Sequence, residues 1–187
     1  MQIFLQPVAT KINYDILNSL RNDISKEFKN VQIVITPSIE PYIKTIFQFS
    51  LDRSRNQLNS TKLLQWFVDN VRIETHSKML VIVDADAYSA GLNFVFGEAF
   101  SNGLIAVVYL PRLKQEFYGL EPNEQLFYER VVKECVHELG HACGLTHCNK
   151  ARCVMHFSNS LHDTDFKKQS FCDTCTSQRI ASVKLMD

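Results

Sequence analysis

Val136-His-Glu-Leu-Gly-His-Ala-Cys-Gly-Leu-Thr-His147 holds an HExxH pattern at residues 137–141 and extends it to HExxHxxGxxH. On an α-helix, residues four apart share a face one turn apart, so His137 and His141 can offer both imidazoles to one divalent ion. Two ligands alone hold a metal weakly. Gly144 stands where a helix C-terminus favours a residue free to take positive φ, and a turn there would return His147 toward the same ion. Three neutral imidazoles then leave a fourth position open for water, the arrangement of a catalytic rather than a structural zinc. Glu138, next to the first ligand, is placed to take a proton as water attacks a carbonyl. A bare HExxH also suits an exposed helix face, but Gly144 and His147, each with a geometric reason for its spacing, favour the metal. His76, His156 and His162 have no such spacing partner and read as surface or loop residues.

Downstream come Cys148 and Cys153, then Met155, then Cys172 and Cys175, four thiols in two close pairs with 18 residues between the pairs. That is the spacing of a closed tetrahedral zinc site, with a pair of disulfides as the competing reading. The opening stretch MQIFLQPVAT lacks the basic region and apolar core of a signal peptide, so it reads as a first strand and the expected compartment is cytoplasmic. Clustered cysteines in a reducing compartment more often bind metal than pair. Cys135 and Cys143, eight apart on the same helix, read as packed, inert thiols. A cysteine hydrolase built on Cys143 is a third reading, disfavoured because helix-buried thiols seldom react.

Working upstream, the motif helix follows Asn123, carries Glu124 in its first turn and reaches Cys143 or Gly144. Gln2–Leu5, Val31–Thr36, Met79–Val83, Asn93–Phe96 and Leu104–Leu110 read as strands. Ile12–Phe28 reads as a helix, as does a stretch from about Ser60 to Val71 with Ser60 or Thr61 as its cap. A short helix is expected at Gln178–Leu185. This order predicts an α/β (α+β) layer fold, a twisted mixed sheet with helices packed against it. Asp84 and Asp86, at a strand end, read as acids serving turn hydrogen bonds. Phe94–Gly97 could form the rim of a cleft and pair with an extended peptide.

The chain has 187 residues, 45% of them hydrophobic, enough for one sizeable core. Lys plus Arg and Asp plus Glu both count 20, so no net positive field gathers nucleic acid or anionic membrane. The apolar runs are far shorter than the roughly 20 residues of a membrane span.

HExxHxxGxxH is the metzincin zinc signature, and Met155 resembles the Met-turn that floors the metal in those proteases. The continuation His147-Cys148, Cys153, Met155 and Cys172 to Cys175 resembles the archaemetzincin family. Arg55-Asn-Gln57, Asp84-Ala-Asp86 and Phe96-Gly-Glu-Ala99 also resemble family landmarks, so the likeness spans nearly the whole chain. It implies a compact metzincin-like fold, a catalytic zinc on His137, His141 and His147, Glu138 as general base, a structural zinc on Cys148, Cys153, Cys172 and Cys175, and hydrolysis of a peptide or protein substrate. Two departures stand out. Sixteen residues separate Met155 from Cys172, one fewer than the family pattern, and His156 follows the methionine where the family often has Asn. The expectation is therefore a monomeric zinc metallopeptidase with two Zn2+ per chain and one domain over residues 1–187, its motif helix and cysteine segment within 123–187. The alternative is a zinc-stabilised binding or regulatory module, which would have no need of a base at Glu138.

Overall fold

Every residue of β5 (Ser77–Val83) is buried, because both faces of this strand are covered. Leu80 and Ile82 point into one core while Met79, Val81 and Val83 point into another. A strand buried on both faces reads as a continuous apolar run, as this one does. The structure, a computed structural model, describes residues 1–8 and 12–184, the last five by backbone alone.

β5 lies at the centre of a five-stranded sheet. β1 (Gln2–Val8) pairs with it in parallel from Gln2↔Ser77 to Val8↔Val83, and β2 (Gln32–Ile35) lies beyond β1. On the other side β8 (Ile105–Tyr109) is parallel to β5, and β7 (Gly97–Ala99) closes the edge antiparallel to β8. The order is therefore β2-β1-β5-β8-β7. The crossovers from β1 to β2 and from β2 to β5 run through α1 (Tyr14–Glu27) and α3 (Ser60–Asn70) on opposite faces, whereas β5 reaches β8 by a connection with no helix. α1 joins α4 (Glu124–Ala142) over one face. α3 packs with α2 (Glu40–Ser50) over the other, where Trp66 and Phe67 meet edge-on at 5.3 Å.

Several elements depart from the sequence reading. α2 was not expected, although Ile43, Ile46, Phe47 and Ser50 repeat at helical spacing. Its N-terminus carries Glu40 and Pro41 in the first turn, both start signals, and lacks only a side-chain cap. A small sheet of β3 (Leu51–Asp52), β4 (Gln57–Asn59) and β6 (Ala87–Tyr88) was also missed, its strands being too short to show a period. α3 is capped by Asn59, which accepts the Lys62 amide at 3.0 Å, rather than by Ser60 or Thr61.

The expected strand at Asn93–Phe96 is not one, with bends at Asn93 and Phe96, and it lies outside the main ladder. Val95 donates to the Ala87 carbonyl, and Asn93 accepts from the side chains of Arg55 and Gln57. The ladder begins where Tyr109 donates to Phe96, so β7 starts at Gly97. After α4 come the unexpected α5 (Leu161–Phe166) and α6 (Asp173–Lys184), which starts five residues before the predicted Gln178. Leu185, the predicted end of that helix, and residues 9 and 10 of the opening stretch lie outside the described residues. Among the described residues no helix is long and apolar enough to cross a membrane.

Candidate metal centre

α4 is buried on more than one side. Asn123 caps it by accepting the Leu126 amide at 2.9 Å, as the sequence indicates, and Val132, Cys135, Val136 and Leu139 face the sheet. The opposite side is polar yet also covered, by the segment around α5. Arg130 grips Asp165 with both guanidinium branches at 2.6 and 2.7 Å, and Lys133 donates to the carbonyls of Thr164 and Asp165. Next along this face, Lys167 approaches Glu134 Oε1 at 2.9 Å, with side-chain exposures of 0% and 4%. The lysine meets its partner as an ion pair without a well-aligned hydrogen bond. Removing one member would strand the other charge in the interior, so this pair fixes the segment against α4.

Beyond Glu134 on α4 stand His137, Glu138 and His141. The helix ends in a Schellman turn, with Leu145 donating to Gly140 and Gly144 donating to His141, and Gly144 takes φ 88°. That turn brings His147 back, as the spacing requires, and its ring stands 4.7 Å from that of His141, centroid to centroid. His137 Nδ1 lies 2.7 Å from the Val154 carbonyl oxygen and His141 Nδ1 2.7 Å from that of Leu145. Carbonyls only accept, so both δ nitrogens carry the proton and both ε nitrogens keep a lone pair. Those two ε nitrogens are 3.1 Å apart, and one nitrogen from each of the three rings falls within 4.8 Å of the others. Burial holds all three imidazoles below their ordinary pKa, most strongly at His137. A neutral, convergent, pre-oriented nitrogen set fits a zinc ion.

Glu138 is buried between α4 and β7 and opens on a cleft of about 320 Å³ whose wall also includes Phe96, Glu98, Glu134 and Phe157. Burial, with repulsion from Glu134 and Glu98, pushes the Glu138 carboxyl well above its usual range, and Lys167 opposes the shift. A divalent ion beside it would also oppose it.

Met155 is fully buried against α4 at Gly140, where a Cβ would strike Met155 Sδ and come within 3.2 Å of Phe171 Cε1. Its side chain therefore packs on α4 one residue before His141. Met155→Leu is expected to keep the zinc content unchanged and to lose at most ~1.5 kcal/mol of stability. Loss of histidine-bound zinc by that variant, measured by metal analysis, would argue for direct ligation by the thioether.

The four downstream cysteines converge as well. All are free, with Cys148 and Cys172 sulfurs 3.9 Å apart, Cys153 and Cys175 sulfurs 3.8 Å apart, and all four within 4.8 Å of one another. The amides of Lys150 and Cys172 donate to the sulfurs of Cys148 and Cys153. Burial tends to raise the Cys172 thiol, but bonds from the Cys175 amide and the neighbouring thiols bring it down to about 7. A thiolate available near neutral pH and a tetrad of sulfurs suit zinc. Cys135 and Cys143 are buried in the core, where burial raises both thiols. Their inert reading stands.

The remaining marked residues find other partners. His76 and His162 are exposed, and the His156 ring lies 2.9 Å from the Cys148 carbonyl oxygen, outside the histidine cluster. Asp86 accepts its neighbour's amide, as a turn acid should, but also holds Arg112 at 2.6 and 2.9 Å. Asp84 reaches Lys114 at 3.3 Å, and neither ion pair was legible from spacing. The sequence reading also missed Glu134, although its place one turn before Glu138 puts it on the same face. Nothing in the sequence points to Lys167.

The family-level sequence model described as Peptidase family M54 matches residues 60–180, which contain all seven clustered histidines and cysteines. The chain belongs to the archaemetzincins, peptidase family M54. Archaemetzincin of Methanocaldococcus jannaschii is 39% identical over 177 residues, covering 94% of this chain and 90% of that protein. The solved archaemetzincin of Methanopyrus kandleri superposes with a TM-score of 0.81 at 32% identity, covering 98% of this chain and 96% of its own. That of Archaeoglobus fulgidus, solved with malonate, gives 0.76 at 36% identity over 95% and 99%. Archaemetzincins are zinc metallopeptidases, so this chain is a hydrolase of peptide or protein substrates. The twisted mixed sheet with packed helices that the sequence predicts is the one observed, with helices on both faces.

Proposed function

We propose that His137, His141 and His147 hold the catalytic zinc and that Glu138 is the general base of peptide-bond hydrolysis. The observation that carries this reading is the committed δ nitrogen on two of the rings, which leaves lone pairs converging at the cleft floor beside Glu138. Zinc bound there would polarise the scissile carbonyl and lower the pKa of a water toward ~7. Glu138 takes the proton of the attacking water and hands it to the departing amine. The β7 edge supports the substrate role. Phe96 and Glu98 face β8 in hydrogen-bonded pairs, so the amides and carbonyls of Gly97 and Ala99 point outward, where an extended peptide can pair with them.

Cys148, Cys153, Cys172 and Cys175 would hold a second, structural zinc that fastens α6 to the loop after His147. Two cores sharing one sheet support the reading of one domain over residues 1–187. Free thiols at all six cysteines support a reducing compartment such as the cytoplasm.

The reading is tested by hydrolysis of a peptide library. Activity is expected in the purified protein, lost on chelation and restored by zinc, with two zinc ions per chain in the active form. A protein with its histidine site loaded and no turnover on any peptide would point instead to the binding module.

A further inference from the structure

Two residues of β7 face α4, and they differ by one atom group. Ala99 carries a methyl that packs into the core with α4. Gly97 carries none. A Cβ built on Gly97 would fall 2.5 Å from Glu138 Cγ, 2.6 Å from Glu138 Oε1 and 2.7 Å from the Val107 carbonyl oxygen. Real Cβ atoms do not make such contacts. Glu138 is 4% exposed, so its side chain fills the space that the missing methyl leaves open. The backbone of Gly97 is not in the left-handed region, since the positive-φ glycines are Gly91, Gly119 and Gly144. Its requirement is room, bounded by the Glu138 side chain on one side and the Val107 carbonyl oxygen on the other.

We infer that Gly97 is a positioning residue for hydrolysis, a notch in the edge strand that fixes the Glu138 side chain against the sheet. The inference rests on Glu138 as the base. A methyl at residue 97 must be cleared on two sides, by Glu138 swinging away about its first side-chain bond and by a shift of β7 from the Val107 oxygen. The Val107 oxygen belongs to a backbone held in the sheet, whereas Glu138 Cγ can move by rotation. The side chain should therefore give first. A base moved by an ångström or so loses much of its catalytic effect while the ion and the substrate-binding edge stay in place.

The test is a cycle of Gly97→Ala, Glu138→Ala and the double variant, each as the zinc-loaded full chain. Gly97→Ala alone is expected to keep its zinc and its KM and to lower kcat at least tenfold. Thermal melts give a readout independent of turnover. The drop caused by Gly97→Ala should shrink in the Glu138→Ala background, because alanine has neither of the clashing atoms. An equal drop in both backgrounds would place the steric demand on Val107 and overturn the inference, and so would a wild-type kcat in Gly97→Ala. If Gly97→Ala alone does not fold, the double variant, which keeps only the Val107 contact, should recover folding, and its failure would overturn the inference equally. Glu138→Gln run alongside separates the two readings. Full activity there defeats the base itself, whereas full activity in Gly97→Ala beside an inactive Glu138→Gln defeats only the notch.

Discussion

Glu138→Gln is expected to bind zinc as the wild type does and to hydrolyse peptides more slowly by ~100-fold or more, the usual yield of acid/base catalysis. Glutamine keeps the length of the side chain that lies against Gly97, so packing between α4 and β7 should hold. What it cannot do is accept a proton. The histidine rings are oriented by Val154 and Leu145, not by Glu138, which is why their metal should be unaffected. The decisive comparison is kcat against zinc content for the two proteins. A Gln variant at full rate would remove Glu138 from the mechanism, and one that lost its zinc would show the carboxylate to be part of the metal centre.

His141→Ala and Cys172→Ser are expected to fail in different ways. The first removes one imidazole and its bond to Leu145, so one zinc per chain and all activity should go. Most of the fold should remain, because α4 is also held by the fully packed Val132, Val136 and Leu139. The second removes a thiol from the tetrad that joins the loop after His147 to the start of α6. Loss of a structural metal costs on the order of 4 kcal/mol, which at this chain length lowers the melting temperature by on the order of 10 °C. Activity should decline second, since Met155 lies between Cys153 and Cys172 and is positioned by the segment they tie down. Metal analysis with thermal melts separates the pair. Wild-type protein with a single zinc and its four clustered cysteines oxidised under reducing conditions would sink the two-ion reading while leaving the histidine site intact.

Regularly spaced parts of the site were legible in the sequence. His137, Glu138 and His141 follow from helical period, His147 from a glycine at a helix end, and the cysteine tetrad from two close pairs. What escaped depends on partners far apart in the chain. Lys167 pairs with Glu134 across 33 residues, and nothing local marks a lysine that will be enclosed. Gly97 looks like turn punctuation until the strand is seen to pass over Glu138. The fold shows the same division. Long apolar runs such as β5 and β8 reveal themselves, while α2, with no side-chain cap, and two-residue strands such as β3 do not.

Among the described residues no strand pairs with the outer side of β7, and such an edge is a standing invitation to self-association as well as to substrate. Its brevity decides which guest it accepts. With three residues in the ladder, only the outward groups of Gly97 and Ala99 are on offer, and the chain leaves the sheet on either side of them. A flexible peptide needs no more than this to be laid straight across the cleft for the moment of cleavage. Another molecule's strand, which must gain enough from repeated pairing to offset the loss of its own freedom, finds too few rungs to stay.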